Sequence, residues 1–104
     1  MKRVDTTQCL AHVLVCVNQR PNSELPSCAK GDAEGVYEAF RRWLDDSGLR
    51  TRIWLTRTQC MGWCHIEGTT VAIYPEGIWY RAVTADDCTA LIDEHLLPLL
   101  ENQR

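Results

Sequence analysis

Residues 12–17 have the sequence His-Val-Leu-Val-Cys-Val, a short run that is apolar on both faces of an extended chain. Runs of this kind, rich in valine, are typical of a central strand buried on both sides. Beyond a long loop, Asp32 can cap a helix that Gly48 can end. The apolar side chains between them recur at helical spacing, at Val36, Ala39, Phe40, Trp43 and Leu44. The first half of the chain therefore predicts a strand followed by a helix.

The second half of the chain predicts three more strands and a second helix. Residues 52–56 are rich in β-branched and aromatic side chains and predict the second strand. Residues 71–74 and 78–82 predict a hairpin, whose connection Pro75-Glu76-Gly77 suits a type I turn with its glycine in the left-handed conformation.

The last predicted element is a helix that opens near Thr84. Thr84 and Asp87 have nearly the spacing of a capping box. Apolar residues follow at helical spacing, and Pro98 is predicted to end or kink the helix. The complete order, β-α-β-β-β-α, predicts an α/β fold.

The composition bounds the class of protein. The chain has 104 residues, 45% of them hydrophobic, and a net charge of −3. We expect one domain over residues 11–104, preceded by a flexible arm of residues 1–10. No apolar run approaches the ~20 residues of a membrane span, and the mild acidity argues against nucleic-acid binding. Polar residues follow Met1-Lys2-Arg3 where a signal peptide would be apolar, so we expect a cytoplasmic protein.

Four of the six cysteines fall where the first two strands end. Cys16 lies at the end of the first strand and Cys28 in the following loop, while Cys60 and Cys64 lie in the loop after the second strand. A crossover helix between neighbouring parallel strands brings these two loops to one edge of the sheet. Four thiolates at one edge favour zinc or an iron–sulfur cluster. The wide spacing of the first pair is unlike a zinc knuckle and favours a [2Fe–2S] cluster.

In four stretches the chain resembles the thioredoxin-like [2Fe–2S] ferredoxins: HVLVCVNQRP (12–21), SC (27–28), TQCMGWC (58–64) and VAIYPEGIWY (71–80). The resemblance covers roughly residues 11–97. It implies a thioredoxin-like α/β fold with a four-stranded mixed sheet and two helices. It also implies a homodimeric one-electron carrier, not an enzyme, that serves redox partner proteins. Its cluster ligands would be Cys16, Cys28, Cys60 and Cys64, although some family members have one residue more between the first two.

Two other functions use the same residues. A thiol–disulfide oxidoreductase of thioredoxin-like fold is one alternative, but it calls for C-x-x-C at a helix N-terminus, and Cys60 and Cys64 are spaced C-x3-C. A four-cysteine zinc-binding interaction module is the other. In each case Cys88 is predicted to be a buried apolar thiol and Cys9 a free thiol in the arm.

Two further hypotheses concern the surroundings of the site. Arg20, Lys30 and Arg57 flank the cysteine loops, where their charges would favour the reduced cluster or serve as ordinary surface charges. If both helices cover one face of the sheet, the other face would carry Trp54 and Trp79 and expose an apolar patch. Such a patch predicts association of two copies.

Overall fold

A computed structural model describes residues 1–17, 33–59 and 69–101 of the chain. These residues contain four strands and two helices. The strands are β1 (Ala11–Cys16), β2 (Ile53–Thr58), β3 (Thr69–Tyr74) and β4 (Ile78–Val83), and the first helix is α1 (Ala33–Ser47). The second helix, α2, is one continuous helical segment over residues 85–101. The predicted element order is confirmed, with strand boundaries that differ by one or two residues.

The strands form one mixed sheet in the order β2-β1-β3-β4. β1 pairs in parallel with β2 and antiparallel with β3, and β3 pairs antiparallel with β4. β1 is central, as its apolar sequence predicts, with a neighbour on each side. Its predicted burial on both faces is found only in part, because Ala11, Val13 and Val15 are buried under the helices whereas His12 and Leu14 on the other face are half-buried. In the last pair, two residues of β4 (Arg81 and Ala82) lie opposite the single residue Thr70, which makes a β-bulge with Ala82 at φ 57°.

The core lies between the sheet and both helices. Alternate residues of β1, beginning with Ala11, point into the same cluster as the apolar sides of α1 and α2. Its largest fully buried side chains are Phe40, Leu44, Ile53, Ile73 and Leu96. Both helices therefore cover one face of the sheet, as predicted.

Gly48 ends α1, as its sequence position predicts. Its φ of 68° is left-handed, a conformation that glycine adopts without a steric penalty. The Leu49 N–H donates to the Leu44 carbonyl at 3.0 Å, and the Gly48 N–H donates to the Asp45 carbonyl at 3.3 Å. This pair of bonds is a Schellman motif. The predicted cap at the other end, Asp32, lies outside the described residues.

α2 begins as predicted but does not end at Pro98. The Asp87 carboxylate accepts the Thr84 N–H at 2.8 Å, which starts the first turn, Ala85–Asp87. The chain then passes through a π-helical stretch, Ile92–Leu96, and continues as an α-helix to Glu101. Pro98 has no N–H to donate to the carbonyl four residues earlier, and the wider turn lies directly before it.

The β3–β4 connection differs from the predicted type I turn. Its closing hydrogen bond runs from the Gly77 N–H to the Ile73 carbonyl at 2.9 Å and so spans five residues rather than four. The Tyr74–Pro75 peptide bond is cis. Gly77 has φ 72°, so its predicted left-handed conformation is confirmed. In the part of the chain that the structure describes, no helix combines the length and hydropathy needed to cross a membrane.

Candidate metal centre

Cys16 is the predicted ligand that the structure describes. It is the last residue of β1, its side chain is completely buried, and it forms a small apolar cluster with Ala33, the first residue of α1. The other three predicted ligands, Cys28, Cys60 and Cys64, lie outside the described residues. The structure therefore describes the site through Cys16 and the ends of the strands and helix around it.

The ends of β1 and β2 and the starts of α1 and β3 meet at Cys16. Val17 follows it directly, and the Val17 N–H donates to the Thr58 carbonyl at 2.9 Å. Thr58, the last residue of β2, is the register partner of Cys16. On the other side of β1, the Thr69 hydroxyl, at the start of β3, donates to the Cys16 carbonyl. With Ala33 packed against the thiol, the boundaries of segments 18–32 and 60–68 all lie around one residue.

This convergence confirms the predicted adjacency of the two strand ends. The prediction used only the rule that a crossover joins parallel neighbours. Thr69 is a site residue that the sequence did not single out. It is fully buried, and its position immediately after a cysteine-containing segment is the signal that could have identified it.

The two remaining cysteines belong to other parts of the fold, one in α2 and one before β1. Cys88 is buried on the core side of α2, as predicted, with its Sγ 3.7 Å from the Val36 carbonyl oxygen. Burial, and to a smaller extent the charge of Asp87, raises the pKa of the Cys88 thiol to about 11. Cys9 precedes β1, at the opposite end of that strand from Cys16, and its thiol donates to the Ala11 carbonyl at 3.2 Å. Cys9 is separated from Cys16 by the length of β1, and Cys88 belongs to the main core cluster rather than to the small cluster of Cys16 and Ala33.

Arg57 is the flanking cation that falls within the described residues. It precedes Thr58 in β2, and its guanidinium Nε donates to Glu34 Oε2 at 3.1 Å. Its Nη2 lies 3.7 Å from Glu38 Oε1, and its central carbon lies 3.9 Å above the ring centroid of Tyr37. The charge of Arg57 is therefore opposed by two carboxylates. Arg20 and Lys30 lie outside the described residues.

The described residues contain no group of three or more His, Cys, Asp or Glu side chains placed to hold a metal ion. A metal centre at the convergence therefore needs the thiols of the two cysteine-containing segments. The segments 18–32 and 60–68 contain three further cysteines, and a donor set made only of thiolates suits an iron–sulfur cluster.

Comparison with known proteins supports an iron–sulfur cluster. No model of a protein family matches the chain. The 2Fe-2S ferredoxin of Clostridium pasteurianum is 34% identical over 86 residues, which are 82% of this chain and 83% of that protein. The 2Fe-2S ferredoxin of Aquifex aeolicus is 36% identical over 87 residues, 82% of this chain and 78% of that protein.

A solved structure extends the agreement to the fold. The wild-type thioredoxin-like [2Fe-2S] ferredoxin from Aquifex aeolicus superposes with a TM-score of 0.74 at 35% identity, covering 83% of this chain and 84% of its own. Identity at this level over most of both chains, together with a shared fold, shows that these proteins belong to one family. This chain belongs to the thioredoxin-like [2Fe–2S] ferredoxins and is a one-electron carrier with a [2Fe–2S] cluster.

Proposed function

We propose that Cys16, Cys28, Cys60 and Cys64 are the four ligands of the cluster, and that the protein works as an electron carrier without enzymatic activity of its own. The observation that carries the ligand assignment is the meeting of the ends of β1 and β2 and the starts of α1 and β3 at the buried Cys16. We further propose that residues 11–104 form the cluster-binding domain, that residues 1–10 are a flexible arm, and that the protein works in the cytoplasm.

The reach of the chain supports this ligand set. Cys60 is two residues beyond Thr58, the register partner of Cys16, and two extended residues span at most about 7 Å. Cys64 precedes Thr69 by five residues, and Cys28 precedes Ala33 by five, so each can reach at most about 18 Å from its boundary. Cys9 lies beyond the far end of a six-residue strand, about 20 Å long. The convergence therefore favours the four assigned thiols over Cys9.

In electron transfer, the chain binds the cluster, shields it from water and positions it for a redox partner. When bound, the cluster supplies a centre that accepts and returns one electron. The complete burial of Cys16 keeps water from that thiolate, and exclusion of water is one of the factors that set the potential of an iron–sulfur centre. The electron then passes to or from another redox protein that docks close to the cysteine-containing segments, with no substrate bound to the metal.

The ligand assignment is tested by six single Cys→Ala variants purified without oxygen. Iron and acid-labile sulfide, the visible absorption, and the EPR spectrum after dithionite reduction report the cluster. We expect the cluster to be lost in the variants of Cys16, Cys28, Cys60 and Cys64. The variants of Cys9 and Cys88 are matched controls and should keep it. Loss of the cluster from either control, or its retention in one of the four, contradicts the assignment.

We also propose that the protein is a homodimer that associates through the sheet face that the helices leave uncovered. Residues paired across the strands place His12, Leu14, Trp54, Ala72, Tyr74 and Trp79 on this face. Tyr74 and Trp79 are 39% and 43% exposed, and the Trp79 indole donates to the Tyr74 hydroxyl at 2.9 Å. An aromatic patch on one side of a two-layer fold favours a second copy as its cover.

Sedimentation equilibrium tests the dimer. The wild-type protein should have twice the 11.9 kDa mass of the chain. The Trp79→Glu variant places a charge in the proposed interface and should sediment as a monomer. Leu97→Glu is the matched control, because Leu97 is 37% exposed but lies on α2, across the molecule from the uncovered face. A monomeric wild type, or equal dissociation of both variants, contradicts the proposal.

A further inference from the structure

Arg57 of β2 contacts α1. The cysteine-containing segment 18–32 ends where α1 begins, and the cysteine-containing segment 60–68 begins just after β2 ends. α1 starts at Ala33, immediately after the segment that contains Cys28. Arg57 is the fifth residue of the six in β2, and Cys60 follows it by three residues. Arg57 is also the register partner of Val15 in β1, one residue before Cys16. A side chain at this position can fix α1 relative to the ends of both central strands.

The first turns of α1 are built to receive this arginine. Glu34, Tyr37 and Glu38 are spaced i, i+3, i+4 and so lie on one side of the helix. Tyr37 is buried, which makes its ring a fixed platform for the guanidinium 3.9 Å above it. Beside the ring, the Arg57 Nε lies 3.1 Å from Glu34 Oε2 and the Arg57 Nη2 lies 3.7 Å from Glu38 Oε1. Only a planar cation with several donors can stack and bind both carboxylates at once.

This contact adds little to the stability of the fold. The Arg57 side chain is 45% exposed, and those of Glu34 and Glu38 are 59% and 46% exposed. Ion pairs this accessible to water are weakened by solvent and salt. A variant without the contact should therefore fold. A cluster whose ligands come from β1 and from two separate segments is more demanding, because its ligands must be held within about 0.5 Å.

We propose that Arg57 is a positioning residue for the cluster, holding the start of α1 against the end of β2 so that the thiols of the two segments stay at ligand distance. The inference rests on the ligand set proposed above. Because Glu34 and Glu38 oppose its charge, we expect Arg57 to govern the lifetime of the cluster more than its potential. The shape and stacking of the guanidinium, rather than its charge alone, do the holding.

The test measures how fast the anaerobic holoprotein loses its visible absorption to an iron chelator. Arg57→Gln removes the contact, and we expect loss about three to ten times faster, equivalent to about 0.7–1.4 kcal/mol. Arg57→Lys keeps the charge but not the planar fork, so it should restore the wild-type rate only in part. Arg50→Gln is the matched control, because Arg50 pairs with Asp45 at 3.4 Å at the other end of β2 and is similarly exposed. The control should lose its cluster at the wild-type rate.

A double-mutant cycle separates positioning from a general weakening of the fold. Glu34→Gln added to Arg57→Gln should cause no further acceleration, because the two side chains act as one contact. The visible circular dichroism should change in Arg57→Gln, while its melting temperature stays equal to that of Arg50→Gln. Wild-type rates in Arg57→Gln, or full rescue by Arg57→Lys, overturn the proposal. A wild-type protein that binds no cluster through the four cysteines overturns the ligand set instead.

Discussion

The hydrogen bond between Thr69 and Cys16 gives the sharpest prediction about the metal centre. The Thr69 hydroxyl donates to the Cys16 carbonyl, both side chains are fully buried, and the residues are 53 positions apart. Thr69→Val replaces the hydroxyl by a methyl group of the same shape, so it leaves no cavity. It leaves the Cys16 carbonyl without this donor in a dry environment.

The expected loss follows from that burial. A buried hydrogen bond contributes about 0.5–1.5 kcal/mol net. If the bond is already broken in the transition state for cluster loss, this cost appears in the rate as an acceleration of about 2-fold to about 12-fold. The measurement is the decay of visible absorption of the anaerobic holoprotein in moderate urea, with far-UV circular dichroism recorded in parallel.

The same substitution elsewhere in the sheet provides the control. Thr56 is exposed in a single copy of the chain, and its hydroxyl lies 2.6 Å from Nε2 of His12, so a valine there breaks no bond to the Cys16 carbonyl. Thr56→Val should therefore change the rate of cluster loss by less than about twofold. Equal rates in wild type and Thr69→Val would show that the bond does not hold β3 to Cys16. Equal acceleration in both variants would show that the effect is not specific to the centre.

Three other predictions concern stability. Tyr80→Phe removes a hydroxyl 2.6 Å from Nε2 of the buried His95, and thermal unfolding should show a loss of about 1–2 kcal/mol with the visible spectrum unchanged. The folded Cys88 thiol keeps its proton up to about pH 11, whereas the unfolded thiol ionises near pH 9.0, so stability that is present below pH 9.0 is lost as the pH rises to 11. This slope should be smaller in Cys88→Ala than in the wild type in urea titrations across this range. Ala82→Gly relieves a left-handed φ of 57° and should raise the melting temperature, and a lower value would contradict the assigned strain.

The local patterns of the sequence were enough to predict the order and placement of the strands and helices. The apolar run at residues 12–17 predicted a central strand, and β1 has a neighbour on each side. The spacing from Val36 to Leu44 predicted the buried side of α1. Chain topology then predicted that the ends of β1 and β2 meet, as Cys16 and Thr58 do. These features follow from the periodicity of apolar residues and from the connectivity of the elements, and both can be read directly from the sequence.

Contacts between side chains of separate elements could not be predicted in this way. Nothing in the local pattern pairs Arg57 with Glu34, which lies 23 residues earlier, or Thr69 with Cys16. The π-helical stretch of α2 was missed for a different reason. A regular helical period was assumed, but the extra residue in the wide turn before Pro98 lets His95 as well as Leu96 point inward.

The bulge in β4 has a consequence for how copies of this protein can assemble. β4 is an edge strand, and a straight edge offers unpaired backbone groups to any other chain. The extra residue near Ala82 interrupts that row and increases the local twist, which discourages growth of the sheet from molecule to molecule. The association of two copies proposed above uses the aromatic face of the sheet rather than this edge, and a self-complementary face is covered once two copies meet. Protection of the β4 edge suits a carrier that must stay small enough to diffuse between donor and acceptor.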